Sequence, residues 1–262
     1  MADQPNQCIN CEVEATGNFC WNCGQKLHLQ KITWKYALSD FADRWLGMDT
    51  KYGRTIVDLF RRPEQVIETY LQGNSIRYIG PLGYYLVMTA LMLLLFEFLG
   101  ITVNEFMEES SKSMGFVPEK PSEKQVAFQA QYMQWVADHF RMFAGVLIPF
   151  LALTGKIYYR KRHTYLHHLI RFTYIQANGV WFTMAMVTIY YFTGQLFTGW
   201  GMAISTTYIG WAIMRTYPQK NNVWGFLKGL LVWISSYLIF MIVMAIVGVI
   251  IGLVLVKMGY FN

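Results

Sequence analysis

GLLVWISSYLIFMIVMAIVGVIIGLVLV, residues 229–256, runs for 28 positions without a charged side chain. A helix crosses the hydrocarbon core of a bilayer with about 20 apolar residues. This stretch is longer, which leaves room for tilt or for a start in the interface. A core helix of a soluble protein ordinarily keeps a polar stripe, and none is marked here.

Four more runs follow the same logic. PLGYYLVMTALMLLLFEFLG, residues 81–100, has Glu97 as its only charge, near the far end. Residues 142–159 carry Pro149 in the middle and Lys156 near the end, where a lysine reaches the interface. Residues 173–192 and 196–214 are uncharged, the latter with Gly199, Gly201 and Gly210. Composition agrees: 54% of residues are apolar and 15% charged, against about 25% charged in soluble domains. The expected fold class is an all-α membrane protein with five transmembrane helices in residues 80–262. The first residues, MADQPNQC, show no basic-then-apolar signal peptide, so insertion is expected to use a span.

Lysine and arginine set the expected orientation. Seventeen of the 22 fall in residues 1–79, in the link between the second and third runs, and in the link before the last. By the positive-inside rule those segments are cytoplasmic. The chain is therefore expected in a bacterial inner membrane as a multi-pass protein, N-terminus inside and C-terminus outside. The net charge of +6 does not imply nucleic acid. Residues 1–79 hold nine acids against nine bases, so no contiguous basic face is expected, and the bilayer is the expected partner.

All four cysteines lie in CINCEVEATGNFCWNCG, residues 8–24. Cys8, Cys11, Cys20 and Cys23 make a C-x2-C-x8-C-x2-C pattern. Each pair can form a tight turn presenting two thiolates to one ion, and two turns supply the closed tetrahedral site that zinc prefers. Iron fits the same sulfur set. Disulfides are the competing use of four cysteines, and a reducing cytosol disfavours them. Gly24 suits a position needing positive φ, and Gly17-Asn18 is a turn signal for a small hairpin between the pairs. Residues 1–28 are thus expected to be a zinc-folded knuckle, and they resemble the short zinc-ribbon modules at the N-termini of many bacterial membrane proteins.

Residues 29–79 join head to spans. Trp34, Leu38, Phe41 and Trp45 share one helical face, which suits equally a helix lying on the membrane with its tryptophans dipped in and a helix packed on the spans. Helices from Thr55 to Arg62 and from Pro63 to Gly73 follow. The stretch DLFRRPEQVIETYLQGNSIRYIGPLGYY, with Asp58, Leu59, Pro63, Tyr70, Gly73, Arg77, Tyr78 and Pro81 at the matching positions, is similar to the family catalogued as domain of unknown function 3667. That resemblance implies an N-terminal zinc ribbon followed by membrane helices and implies no activity. Arg77 and Tyr78 would stand at the membrane interface. Span number and a cytosolic head give a looser likeness to Yip-type five-helix membrane proteins, at the level of fold alone.

Three further features invite function. His163 and His167 share a face in RKRHTYLHHLIR and could share a metal, although a basic collar explains them too. Asn178 sits in the third run, where buried amides commonly tie helices together. Gly248 and Gly252 form a GxxxG suited to oligomer packing. No Walker loop, dinucleotide fingerprint, G-x-S-x-G or H-E-x-x-H is present. The expectation is a non-enzymatic binding or assembly protein whose ribbon contacts a cytosolic protein. A small transporter or lipid-handling protein is the alternative.

Overall fold

The computed structural model describes residues 6–8, 10–24, 27, 51–115, 145–160, 163–217 and 219–257, with side chains described as far as residue 247. Trp34, Phe41 and Trp45, and the surface helix expected around them, lie outside the described residues, as does the packing of Gly248 and Gly252. The chain divides into two units, residues 1–52 and 53–262.

Among its described residues the first unit holds a two-stranded antiparallel hairpin. Strand β1 (Asn6–Gln7) pairs with β2 (Glu14–Ala15), with Asn6 opposite Ala15 and Gln7 opposite Glu14. The expected hairpin turn at Gly17-Asn18 is not the one that forms. The first cysteine pair itself makes the turn, and Gly17 supplies a later bend at φ 91°.

The second unit is helical. Helix α1 (Gly53–Arg61) and α2 (Pro63–Leu71) are short. Arg62-Pro63 separates them because proline has no N–H to continue α1 and its fixed φ starts α2. Helix α3 (Pro81–Leu99) follows, again with proline in its first turn, and ends on Gly100 in the left-handed region. Then come α4 (Val103–Ser113), α5 (Leu147–Tyr158), α6 (Tyr165–Thr193), α7 (Thr198–Thr216) and α8 (Asn222–Lys257).

Among the described residues two helices, rather than the expected five, are long and apolar enough to cross a membrane: α3, and α8 over Asn222–Val247. The reason is chemical. Absence of charge is not apolarity, and α6 and α7 carry amides, hydroxyls and glycines along their uncharged stretches. Helix α5 starts only at Leu147, so Pro149 lies in its first turn and does not break it. At 12 residues it extends about 18 Å, short of a bilayer core.

Helix α6 sits centrally, packing on α3, α5 and α7, while α8 covers α5 and α7. The close approaches use glycine. A Cβ at Gly155 of α5 would stand 2.6 Å from the Phe172 ring, and one at Gly229 of α8 would stand 2.8 Å from the Gly210 carbonyl oxygen of α7. One end of the bundle collects α2, the start of α6, the end of α7 and the start of α8, through pairs such as Arg215 with Glu64. The opposite end holds α4, where Ser113 donates to the Thr198 hydroxyl at 2.6 Å.

Candidate functional site

The four cysteine ligand atoms lie within 4.8 Å of one another. Cys8 Sγ stands 3.5 Å from Cys23 Sγ, and Cys11 Sγ 3.6 Å from Cys20 Sγ. Disulfide sulfurs would be about 2.05 Å apart, and none of the four cysteines is in a disulfide. Four thiolates around one ion at about 2.3 Å would be separated by about 3.8 Å. The sulfur set therefore fits a tetrahedral metal ion.

The backbone explains why. Glu12 N–H donates to the Cys8 carbonyl at 2.8 Å, and Gly24 N–H donates to the Cys20 carbonyl at 2.8 Å. Glu12 has φ 60° and Gly24 φ 74°. The two knuckles are thus copies of one turn, each closed by the residue after its second cysteine in the left-handed region. Gly24 adopts that region without a Cβ penalty, whereas Glu12 does not. Cys23 and Asn22 N–H groups bond the Cys20 sulfur and pull its thiol down, but burial and the neighbouring Cys11 and Cys23 sulfurs outweigh them and push it up to about 11. Cys8 and Cys20 are buried with Ala15, and Leu27 packs on them.

The second polar site expected from the sequence separates into two. Asn178 is buried and bonded at both ends of its amide. It accepts from Tyr84 Oη at 2.7 Å, and its Nδ2 donates to Tyr208 Oη at 2.8 Å. Tyr208 Oη in turn donates to the Leu59 carbonyl at 3.3 Å. The amide ties α3, α6, α7 and α1 together. His163 and His167 belong elsewhere, at the basic end, with ring centroids 5.8 Å apart. They form no metal group: among the described residues the cysteine cluster is the only one with three or more ligands gathered.

At that basic end the central residue is Arg171, which the sequence showed only as one more cation. Its side chain is 0% exposed. It donates to Glu68 Oε1 at 2.5 Å and to the Thr216 carbonyl at 2.9 Å, and lies 4.9 Å from the centre of the Tyr217 ring. His163 Nε2 stands 3.3 Å from Arg171 Nη2. Tyr217 Oη meets His168 Nδ1 at 2.5 Å and its ring stacks on Tyr159 at 4.0 Å. Burial pushes the His168 imidazole down to about 4, and the positive charges of His163, Arg171, Lys156 and His167 add to it. His168 is therefore neutral at pH 7 and packs in a hub with Arg171 and Tyr217.

Tyr78 also departs from its expected place. It is buried and donates to Asp58 Oδ2 at 2.8 Å, while Arg77 remains exposed beside its ring. Burial raises the Tyr78 hydroxyl above its ordinary pKa, and the bond to Asp58 raises it further. Asn74 receives the N–H groups of Ile76 and Arg77 on its Oδ1, which fixes the turn before α3.

The family described as Protein of unknown function (DUF3667) matches residues 49–93. The match covers α1, α2 and most of α3, and it contains all eight positions that carried the resemblance. Asp58, Glu68, Tyr78 and Tyr84, whose side chains make the ties above, fall inside it. No curated protein and no solved structure matches the chain.

Proposed function

We propose that the chain is an integral membrane protein whose four-cysteine head holds a structural zinc ion and contacts a cytosolic protein, without catalysis of its own. The observation that carries the metal reading is the closure of four sulfurs around one point. A tetrahedron of four protein thiolates leaves no position for substrate or water, which is the pattern of structural zinc. So small a module, with two two-residue strands, depends on the ion for its fold.

Membrane anchoring is supported by what α3 and α8 leave uncovered. Only 22% of the apolar window of α3 and 11% of that of α8 is buried, whereas the core helix of a soluble protein would be mostly covered. Leu82, Leu86, Leu94 and Phe98 of α3 and Leu238, Ile242 and Ile246 of α8 face outward. In water, such patches would drive association. Both helices begin at the end rich in Lys and Arg, so the positive-inside rule places that end and the ribbon in a bacterial cytoplasm and the far end of α8 outside. Helices α6 and α7 pair their polar groups with each other and with α1 and α3, and they accompany the two apolar helices across.

The experiment compares wild type with Cys20→Ser in cells, using in-cell cross-linking to identify what the head touches. The proposal expects membrane insertion to persist and one defined cross-linked protein to disappear. Unchanged cross-links with zinc absent would overturn it. Cysteine labelling of single-cysteine variants at Ser75 and Lys257 tests orientation, with Ser75 expected to be reached from the cytoplasm and Lys257 from outside.

A further inference from the structure

Residues 51–81 hold three carboxylates, and all three are engaged internally. Asp58 is buried and bonded to Tyr78 and Arg62. Glu64 pairs with Arg215 and Glu68 with Arg171. Arg54, Arg61 and Arg77 are exposed, and none has a carboxylate partner among the described residues. The segment therefore neutralises its acids inward and leaves three guanidinium groups outward.

These arginines do not stand alone. Helix α1 buries Thr55, Asp58 and Leu59. The outward side of the same nine residues carries Arg54, Val57, Phe60 and Arg61. Val57 is 45% exposed and Phe60 37%, the latter while its ring still touches Phe182 and Tyr208. The turn before α3 is clamped against α1, because Ile79 N–H donates to Thr55 Oγ1 at 3.2 Å and Tyr78 Oη to Asp58. That turn adds Arg77 and Ile76, which is 77% exposed. Three arginines interleaved with three apolar side chains thus stand directly before Pro81, the first residue of a helix fit to cross a bilayer.

We infer that this surface binds the phosphate groups of anionic phospholipid headgroups at the cytoplasmic face. A guanidinium presents paired donors that match a phosphate, and juxtamembrane cations attract anionic lipid. The apolar neighbours are what select a bilayer over other polyanions: Val57, Phe60 and Ile76 enter the acyl boundary as the arginines meet the phosphates. An RNA or an acidic protein would give those three side chains no apolar medium.

The inference rests on the membrane anchoring proposed above, and one experiment separates the two. The full chain is reconstituted in vesicles of phosphatidylcholine with 20% phosphatidylglycerol. Carbonate extraction is followed by detergent solubilisation and mass spectrometry of the retained lipid. Release by carbonate would show that anchoring itself fails. With the protein retained, phosphatidylglycerol is expected to be enriched over its bulk share. Arg54→Gln, Arg61→Gln and Arg77→Gln are each expected to lower that enrichment, by up to about fivefold per arginine, with the thermal melt unchanged. Val57→Ser with Ile76→Ser should lower it as well. Millimolar inorganic phosphate should not displace the lipid. Equal enrichment in wild type and the triple arginine variant overturns the inference. So does displacement by phosphate alone, or by RNA or a polyglutamate peptide.

Discussion

Single residues in the ribbon carry unequal strain although their backbones are alike. Glu12 and Gly24 occupy the same left-handed position at the end of their knuckles, where a side chain costs about 1–2 kcal/mol. Glu12→Gly is expected to slow zinc loss to a chelator, and Gly24→Ala to speed it. Metal release followed with a chromogenic chelator measures both, and a reversed order would show that the turn does not limit release. Arg171 poses the opposite case, a charge that is satisfied yet buried. Removing one member of a buried ion pair costs about 3–5 kcal/mol, so Arg171→Ala should abolish a cooperative melt in detergent. Glu68→Gln, at the half-exposed end of the pair, should only lower it. His168 gives a pH test. Its folded state stays neutral down to about pH 4, while the unfolded chain takes up a proton near pH 6.5. The unfolded state then binds more protons in that interval, so stability falls as pH drops from about 6.5 towards 4. His168→Phe should flatten this part of the melting curve, and an unchanged slope would assign it to other groups.

At the scale of elements, the sequence was legible where its signals were local. Proline at Pro63 and Pro81 and the left-handed Gly73 and Gly100 marked helix ends that the structure places within a few residues. The cysteine spacing announced the cluster before any coordinates. What was not legible depended on partners far along the chain. Tyr78 looked like an interfacial aromatic because nothing local reveals Asp58 twenty positions earlier accepting its proton. Asn178 reads as an amide that ties helices together, but nothing local names Tyr84 and Tyr208 as the partners at its two ends. Uncharged runs suggest spans because charge is easy to see in a sequence, whereas the pairing of hydroxyls and amides inside a bundle is not. Asn178→Ala should therefore destabilise the bundle by about 1–3 kcal/mol through loss of its buried bonds to Tyr84 and Tyr208, read as a lower melting temperature in detergent. A flux that vanished with the melt intact would instead favour transport. Gly229→Ala should separate α7 from α8, because its Cβ meets backbone and not a yielding side chain.

Over the whole molecule, charge and apolarity divide along the bundle. The basic end holds Arg171, Arg215 and Lys228, each already engaged by a carboxylate or a ring, while α3 and α8 run away from it with leucine, isoleucine and phenylalanine outward. The family match falls on the part that joins these halves, α1 to α3. The ribbon lies outside that match, and its chemistry is a claim about this chain in particular. It is tested most directly by elemental analysis of the full chain purified from carbonate-washed membranes. One zinc per chain, lost in both Cys11→Ser and Cys23→Ser, is the predicted result; iron, or a chain that stays in the membrane with no bound metal, would contradict it.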